Sequence, residues 1–390
     1  MSVHSPDYRT RLLAGIDEVD AAQWDALLPP DPPPFVRHAF LGALEATGCV
    51  GPGTGWTPCH LALFSPDGRL AGATPLYRKT HSWGEYVFDW AWADAYERHG
   101  LRYFPKLLGA IPFTPVTGPR LLGRDAPARQ AVAEALMAHA RGSRLSSLHV
   151  LFPDEAEAAL LAQAGCLVRQ AVQFHWHNHG YRCFDDFLAA LSQPKRKKIR
   201  AERRKVAEQG ITLRRLTGAA ITDAHWRFFD RCYQSTYQAH GSSPYLNLAF
   251  FQTLGRLMPE ALVMAVAERA GEPIAASLLM RSRDRLYGRY WGAVAPAPFL
   301  HFECAYYQAI EAAIELGIGV IEGGAQGEHK MARGFLPVAT RSAHWLREPA
   351  FADAVERFLA REGSMVDAYL DELNERSPFG RAGNPTGSAG

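Results

Sequence analysis

One order of hydrophobic patterns occurs twice along this chain, and it limits the fold more than any single motif does. In the first half, helices are expected near 20–28 and 37–47. The run HLALFSPDGRLAGATPLYRKT then reads as two strands around a turn at Asp67-Gly68. A further strand is expected around EYVFDWAW, where Tyr86, Phe88, Trp90 and Trp92 alternate with Val87, Asp89 and Ala91. A helix over APARQAVAEALMAHA, a strand over LSSLHVLF, a helix over DEAEAALLAQAG and a strand over CLVRQAVQFHWHN complete that half. The second half repeats the series. Helices are expected over 223–239 and 247–257, and a hairpin over LVMAVAERAGEPIAASLLMRS. A strand over RLYGRYWGAV, a helix over HFECAYYQAIEAAIELG and a strand over GVIEGG follow. EHKMARGF gives a short helix and ATRSAHWLRE a last strand.

The repeated order of helix, helix, hairpin, strand, helix, strand, helix, strand predicts two tandem domains. An antiparallel hairpin that leads into strand, helix and strand predicts a mixed sheet, so the fold class is α/β of the α+β kind. Domains are expected at 1–178 and 179–376, with a Gly-, Pro- and Ser-rich tail over 377–390 expected to be disordered. A chain of 390 residues exceeds a typical single core, which agrees with two domains.

Composition narrows the function. The net charge is +2, so the molecule is not a bulk binder of polyanions, and any such attraction is local. The six cysteines form no CxxC pair and are expected to be reduced thiols. No run of 18 apolar residues and no charged leader with an apolar core are present. No membrane span and no signal peptide are therefore expected, and the expected location is cytoplasmic.

Local charge is concentrated in PKRKKIRAERRK, residues 194–205, with eight Lys or Arg and one Glu. Ser192 caps a helix, Pro194 sits in its first turn, and Gly210 ends it. Ile199 and Val206 give a thin apolar seam. Basic residues at a helix N-terminus oppose the macrodipole, which points to an anionic partner. A solvated face is the bland alternative. A phosphate-binding face with Arg196, Lys198 and Arg200 as contacts is the functional one.

Three other features carry chemistry. On a helical wheel of 301–317, Tyr306, Tyr307, Ile310, Ala313 and Ile314 share one face, and Glu303 falls in its middle. Glu303 is either a satisfied structural carboxylate or a desolvated general base. Glycines 323, 324 and 327 precede Glu328-His329-Lys330, a candidate oxyanion site with an acid, a possible base and a fixed cation. Gln326, Glu328, Arg333, Tyr290 and Tyr307 are candidate substrate contacts around it. The pairs His301-x-Glu303 and Glu328-His329 hold metal-ligating residue types, but no third ligand at regular spacing supports either, so no metal site is expected. In the first half, the aromatic stretch is either core or a groove wall. Trp90 would lie on that wall, with Lys79, Glu85 and Asp89 as polar contacts and Lys106 on a stiff loop.

Five segments together resemble the FemAB-like proteins of peptidoglycan biosynthesis or recognition, a branch of the GNAT acyltransferase superfamily. They are GEYVFDWAWADAY, YFPKLLGAIPFTPVTGPRLL, PKRKKIRAERRKVAEQGI, HFECAYYQAIEAAIELG and EGGAQGEHKMARGFLP, so the resemblance covers nearly the whole chain. It implies two tandem GNAT-like domains and transfer of an activated acyl or aminoacyl group to an amine. The acceptor is implied to be a small or nucleotide-linked molecule. The implied donor is aminoacyl-tRNA, or acyl-CoA as in GNAT enzymes; no other cofactor is implied. The basic run implies contacts of Arg196 and Arg200 with the acceptor's diphosphate. A Lys before a Gly-Phe turn is matched by either Lys330 or Arg333. Glu303 is the first candidate base and His329 the second, with Lys330 at the oxyanion. The loop VAPAPFLHFEC lacks the glycines of a CoA diphosphate cradle, which favours a donor other than CoA. Loss of transfer, leaving a binding module for cell-wall precursors, is the alternative.

Overall fold

The computed structural model describes residues 8–324 and 327–380. The chain forms two compact units. One holds the chain up to Ala171 together with Ala339–Asp367, and the other holds Val172–Val338 and the chain from Ala368. The expected consecutive order of domains, with one boundary after residue 178, is therefore altered. The chain crosses within the strand Leu167–His177, again within the strand Leu336–Leu346, and a third time within the final helix. The reason is pairing: Ser342–Leu346 zips antiparallel onto Ser147–Leu151, which returns this strand to the first unit.

In the first unit, Arg9–Leu13, His60–Phe64, Leu70–Thr74 and Leu122–Gly123 form an antiparallel sheet. A second, mixed sheet follows the order Leu336–Leu346, Ser147–Leu151, Lys106–Gly109, Leu76–Lys79, Trp56–Pro58, with the Lys106 and Ser147 strands parallel. The helix Ala126–Gly142 buries Val132, Ala133, Leu136, Met137 and Ala140 at helical spacing against Leu61, Leu76, Leu107 and Val150.

The second unit is the fuller version of the same plan. Ile211–Thr217, Leu262–Arg269, Glu272–Arg281 and Arg285–Ala293 run antiparallel. Val320–Glu322 then runs parallel to Arg285–Tyr287, and His175–His177 closes the series antiparallel to it. The helix that begins at Leu300 covers one face, with Tyr306, Tyr307, Ile310 and Ala313 packed on Trp176, Leu286 and Ile321.

Two expectations fail locally. EYVFDWAW is not a strand: Trp90–Arg98 is a helix. Trp92 and Tyr96, one turn apart, are its buried pair, while Phe88 and Trp90 are exposed. Helical burial of two rings outweighs the alternation that looked like a strand. The Lys106 loop is also a strand, and Lys106 is fully buried at its start. The final helix, Pro349–Glu375, is absent from the sequence expectations, although Val355, Leu359 and Leu373 are buried along it. No helix among the described residues is long and apolar enough to cross a membrane.

Candidate active site in the second unit

The parallel strands Arg285–Ala293 and Val320–Glu322 stay paired only as far as Tyr287 and Glu322. Beyond that point they part, and a cleft with a cavity volume of about 120 Å³ opens between them. Its walls come from the first strand (Arg289, Tyr290, Trp291), the covering helix (His301, Tyr306) and Phe335. Gly323 lies at its edge, where a Cβ would meet the Phe174 carbonyl and the Lys330 side chain at 3.1–3.3 Å. Gly324 has φ +80°, a conformation that a side chain disfavours.

The helix at 300–315 contains a π turn over Glu303–Tyr307, where the Gln308 N–H donates to the Glu303 carbonyl. The extra residue changes the phase of the wheel. In a plain α-helix Gln308 would lie about 140° from Glu303; here it is stacked over it and donates to Oε1 at 2.9 Å. Glu303 is thereby placed away from Tyr306 and Ile310 and toward the basic helix Gln193–Glu208. Arg203 grips it, Nε to Oε2 and Nη2 to Oε1, both at 3.1 Å, and also reaches Glu311 at 2.7 Å. Glu303 is thus a buried member of an ion-pair cluster that also includes Arg215. That geometry serves a structural carboxylate and leaves the cleft without it.

His329 is placed differently, against the cleft wall. It is exposed, and its Nε2 lies 3.0 Å from the Tyr306 hydroxyl, which belongs to the cleft wall. Partial burial, then Lys330 and Arg333, hold its pKa below the ordinary histidine value, so the ring is neutral at pH 7. Burial pushes the Tyr306 phenol up to about 12, so it keeps its proton. His301, also in the wall, is held at about 4 by burial and by His329, Arg333 and Lys330.

Lys330 and Arg333 now have distinct positions. Arg333 is buried; its Nη2 bonds both oxygens of Glu202 at 2.9 and 3.0 Å, and its guanidinium lies 3.4 Å above the Phe302 ring. Lys330 Nζ donates to the Gly324 carbonyl at 3.1 Å, and burial lowers its pKa to about 8. Lys330 therefore stands at the glycine edge of the cleft, and Arg333 is a clamp. Tyr307 is part of the same clamp: its hydroxyl donates to Glu202. Glu328 is exposed and accepts from Tyr369. Gln326 lies outside the described residues.

Pro194 in the first turn and Gly210 past the end, with φ +69°, frame the basic helix as expected; Ser192 holds the N-cap position, but its side chain makes no capping hydrogen bond. Its buried face consists of Ile199, Glu202 and Val206, so the run's one acid is its anchor. Arg203 turns inward to Glu303, while Lys197, Lys198, Arg200, Arg204 and Lys205 are exposed. Arg196 donates to the Ala189 carbonyl at 3.2 Å, and Arg200 stands 3.6 Å from exposed Asp185. Lys197 and Lys198 are exposed, and no ion pair to them occurs among the described residues.

The first-unit candidates form a different object. Lys106 is wholly buried and donates to Ser82 at 3.0 Å, to Glu85 at 2.8 Å and to Asp89. Asp89 also accepts from Tyr103 at 2.6 Å. Burial opposes the Asp89 charge, but Lys106 and His149 outweigh it and hold the carboxyl well below its usual range. Lys79 is buried over Trp56 at 3.8 Å, and burial lowers its pKa to about 7. Lys79, Glu85, Asp89 and Lys106 are therefore interior groups rather than polar contacts of a groove, and of the five only Trp90 is exposed. Sequence reasoning did not single out Arg289 or His301 as cleft residues, nor Glu202 as an anchor. Only Glu202, a lone acid at seam spacing between Ile199 and Val206, carried a usable signal.

The comparisons with known proteins agree with this architecture. The profile of the FemAB-like family, described as peptidoglycan biosynthesis/recognition, matches residues 15–381. The fold is mixed α/β, with parallel and antiparallel strand pairs. The chain belongs to the FemAB-like family. Among solved structures it is similar to the C-terminal domain of a putative lysylphosphatidylglycerol synthetase from Agrobacterium fabrum. The TM-score is 0.55 at 11% identity, covering 89% of this chain and 97% of that one. It is also similar to FemX, with TM-score 0.54 at 12% identity, covering 87% of this chain and 98% of that one. No curated protein matches the sequence.

Proposed function

We propose that the protein is an acyl- or aminoacyltransferase that moves an activated acyl group onto an amine in the cleft of the second unit. The observation that carries this is the parting of the two parallel strands beside a neutral histidine and a protonated tyrosine. Family membership supports the reaction class. In the proposed step the amine nitrogen attacks the acyl carbon, a C–N bond forms, and the ester or thioester bond breaks. The amine proton passes to Tyr306 as the Tyr306 proton passes to His329, and the protonated His329 gives that proton to the leaving oxygen or sulfur, which restores the neutral ring. Lys330 supplies positive charge at the glycine edge, where the oxyanion develops. Glu303 is not the base in this reading.

The donor proposed is an aminoacyl ester, with aminoacyl-tRNA as its natural form. Pro296 and Pro298 sit in the loop before the covering helix, and each removes a backbone N–H that a CoA diphosphate would need. The acceptor proposed is a peptidoglycan precursor or related amine with a phosphate held by the basic helix. The test is turnover with aminoacyl-tRNA and, separately, acetyl-CoA, against an amine-bearing precursor. Product from the aminoacyl donor alone supports the reading, and product from neither donor contradicts it.

A second expectation separates binding from chemistry. Arg196→Gln with Arg200→Gln should raise the acceptor KM about tenfold or more, since charge-assisted hydrogen bonds to phosphate each contribute roughly 1.5–3 kcal/mol. The maximal rate should stay within about twofold, the pattern of lost uniform binding. A fall in kcat at unchanged KM would place these arginines elsewhere in the mechanism.

A further inference from the structure

The strand Arg285–Ala293 carries a β-bulge in the cleft. Its pairing with Glu272–Arg281 runs Leu278 to Tyr290 and then Leu279 to Gly288, so Arg289 is the extra residue of the bulge. A regular pleat would present alternate residues to one face. Here Gly288, Arg289, Tyr290 and Trp291 all line the cleft, because the bulge turns Arg289 inward.

The guanidinium is held in that direction. Its carbon lies 4.9 Å from the Tyr290 ring centroid, and Nη2 donates to the Tyr290 hydroxyl at 3.1 Å. Tyr290 is itself wedged edge-on against Tyr233, with centroids 5.4 Å apart. A guanidinium pre-set by a stacked ring loses little freedom when it meets a planar anion.

The electrostatics point the same way. Among the described residues lining the cleft none is acidic, and Arg289 is the permanent charge. His301 is kept neutral partly by Lys330 and Arg333, which marks a positive field at this end. Glu322, between Ile321 and Gly323, is held by Arg285 at 3.0 Å. The cleft therefore offers a positive, fork-shaped donor and no carboxylate to oppose an anion.

We propose that the cleft takes a substrate carrying an oxyanion, a carboxylate or a phosphate ester, close to its reacting group, and that Arg289 selects for it. This rests on the cleft being the transfer site. It adds a substrate class that is independent of the basic helix. Substrates of the same size with that anion blocked are poor ligands.

The test uses the full chain and three probes: N-acetylalanine, N-acetylalaninamide and inorganic phosphate, with binding followed by NMR. The expected result is that N-acetylalanine or phosphate binds and the amide binds about tenfold more weakly or not at all. Arg289→Gln should weaken the anionic probe by about tenfold and leave the amide unaffected. Arg289→Lys, which keeps the charge but loses the fork, should fall between and guards against a folding defect in the first variant. Stronger binding of N-acetylalanine than of phosphate assigns a carboxylate-bearing substrate, and the reverse assigns a phosphate ester. Equal binding of acid and amide, no binding of either anion, or wild-type affinity in Arg289→Gln overturns the proposal. Transfer is assayed separately. Wild-type protein that binds the anion but transfers nothing contradicts the function proposed above and leaves the Arg289 assignment standing.

Discussion

Replacing Lys106 by Met should destabilise the first unit by about 3–5 kcal/mol, the usual cost of removing one partner from a buried ion pair. Met preserves the length of the side chain, so little of the loss comes from packing. What is lost is the ammonium between Glu85 and Asp89, all three being buried. Glu85 Oε1 and Asp89 Oδ1 already lack hydrogen-bond partners, and without Lys106 each carboxylate loses a charged donor. A loss of this size is a large share of the roughly 5–15 kcal/mol that stabilises a domain. Hydrogen exchange of the strand amides Lys106–Gly109 reads the effect locally. Adding Glu85→Gln and Asp89→Asn to Lys106→Met should recover a substantial part of it, since the stranded charges are then gone. A cost below about 1 kcal/mol for the single change would show that the cluster is not an ion-pair core.

Glu202→Ala is expected to have a comparable effect in the second unit, again about 3–5 kcal/mol. The change strands the Arg333 guanidinium, whose Nη2 loses both of its carboxylate contacts, and leaves the Tyr307 hydroxyl without its acceptor. Arg333 keeps its bond to the His329 carbonyl at 2.8 Å, but that neutral acceptor does not replace a carboxylate. Because Arg333 precedes the Gly334-Phe335 turn and Phe335 lines the cleft, the loss should loosen the cleft wall as well as the basic helix. Faster exchange of amides in Gln193–Glu208 and in Glu328–Arg333 is the expected signature. Glu202→Gln keeps an acceptor and should cost less. Equal costs for Ala and Gln would mean that the charge contributes nothing.

Local signals in the sequence translated well where the cause is local. Pro194 and Gly210 bound the basic helix because first-turn geometry and chain reversal depend on a few neighbouring residues. The hairpins and the parallel strand before the glycines were legible for the same reason. What could not be read depends on distant partners. The π turn at Glu303 moves a carboxylate from the apolar face to Arg203, and its one-residue change of phase leaves no periodic trace. The bulge at Arg289 is a difference between two strands, so neither strand shows it alone. Lys106 looked like a loop cation because its carboxylates lie 17 and 21 residues away. The exchange of the last strand between units is a pairing across nearly 200 residues, which the repeated order of elements concealed.

In the proposed function, chemistry occurs in the cleft through Tyr306 and His329 and not at Glu303. The most direct measurement compares single-turnover rates of Glu303→Gln and His329→Gln in folded protein with an aminoacyl-tRNA donor. His329→Gln should lose about 10²-fold or more, the scale of a general base, while Glu303→Gln retains most of the rate at lower stability. Loss of turnover in Glu303→Gln with His329→Gln unaffected would contradict that proposal.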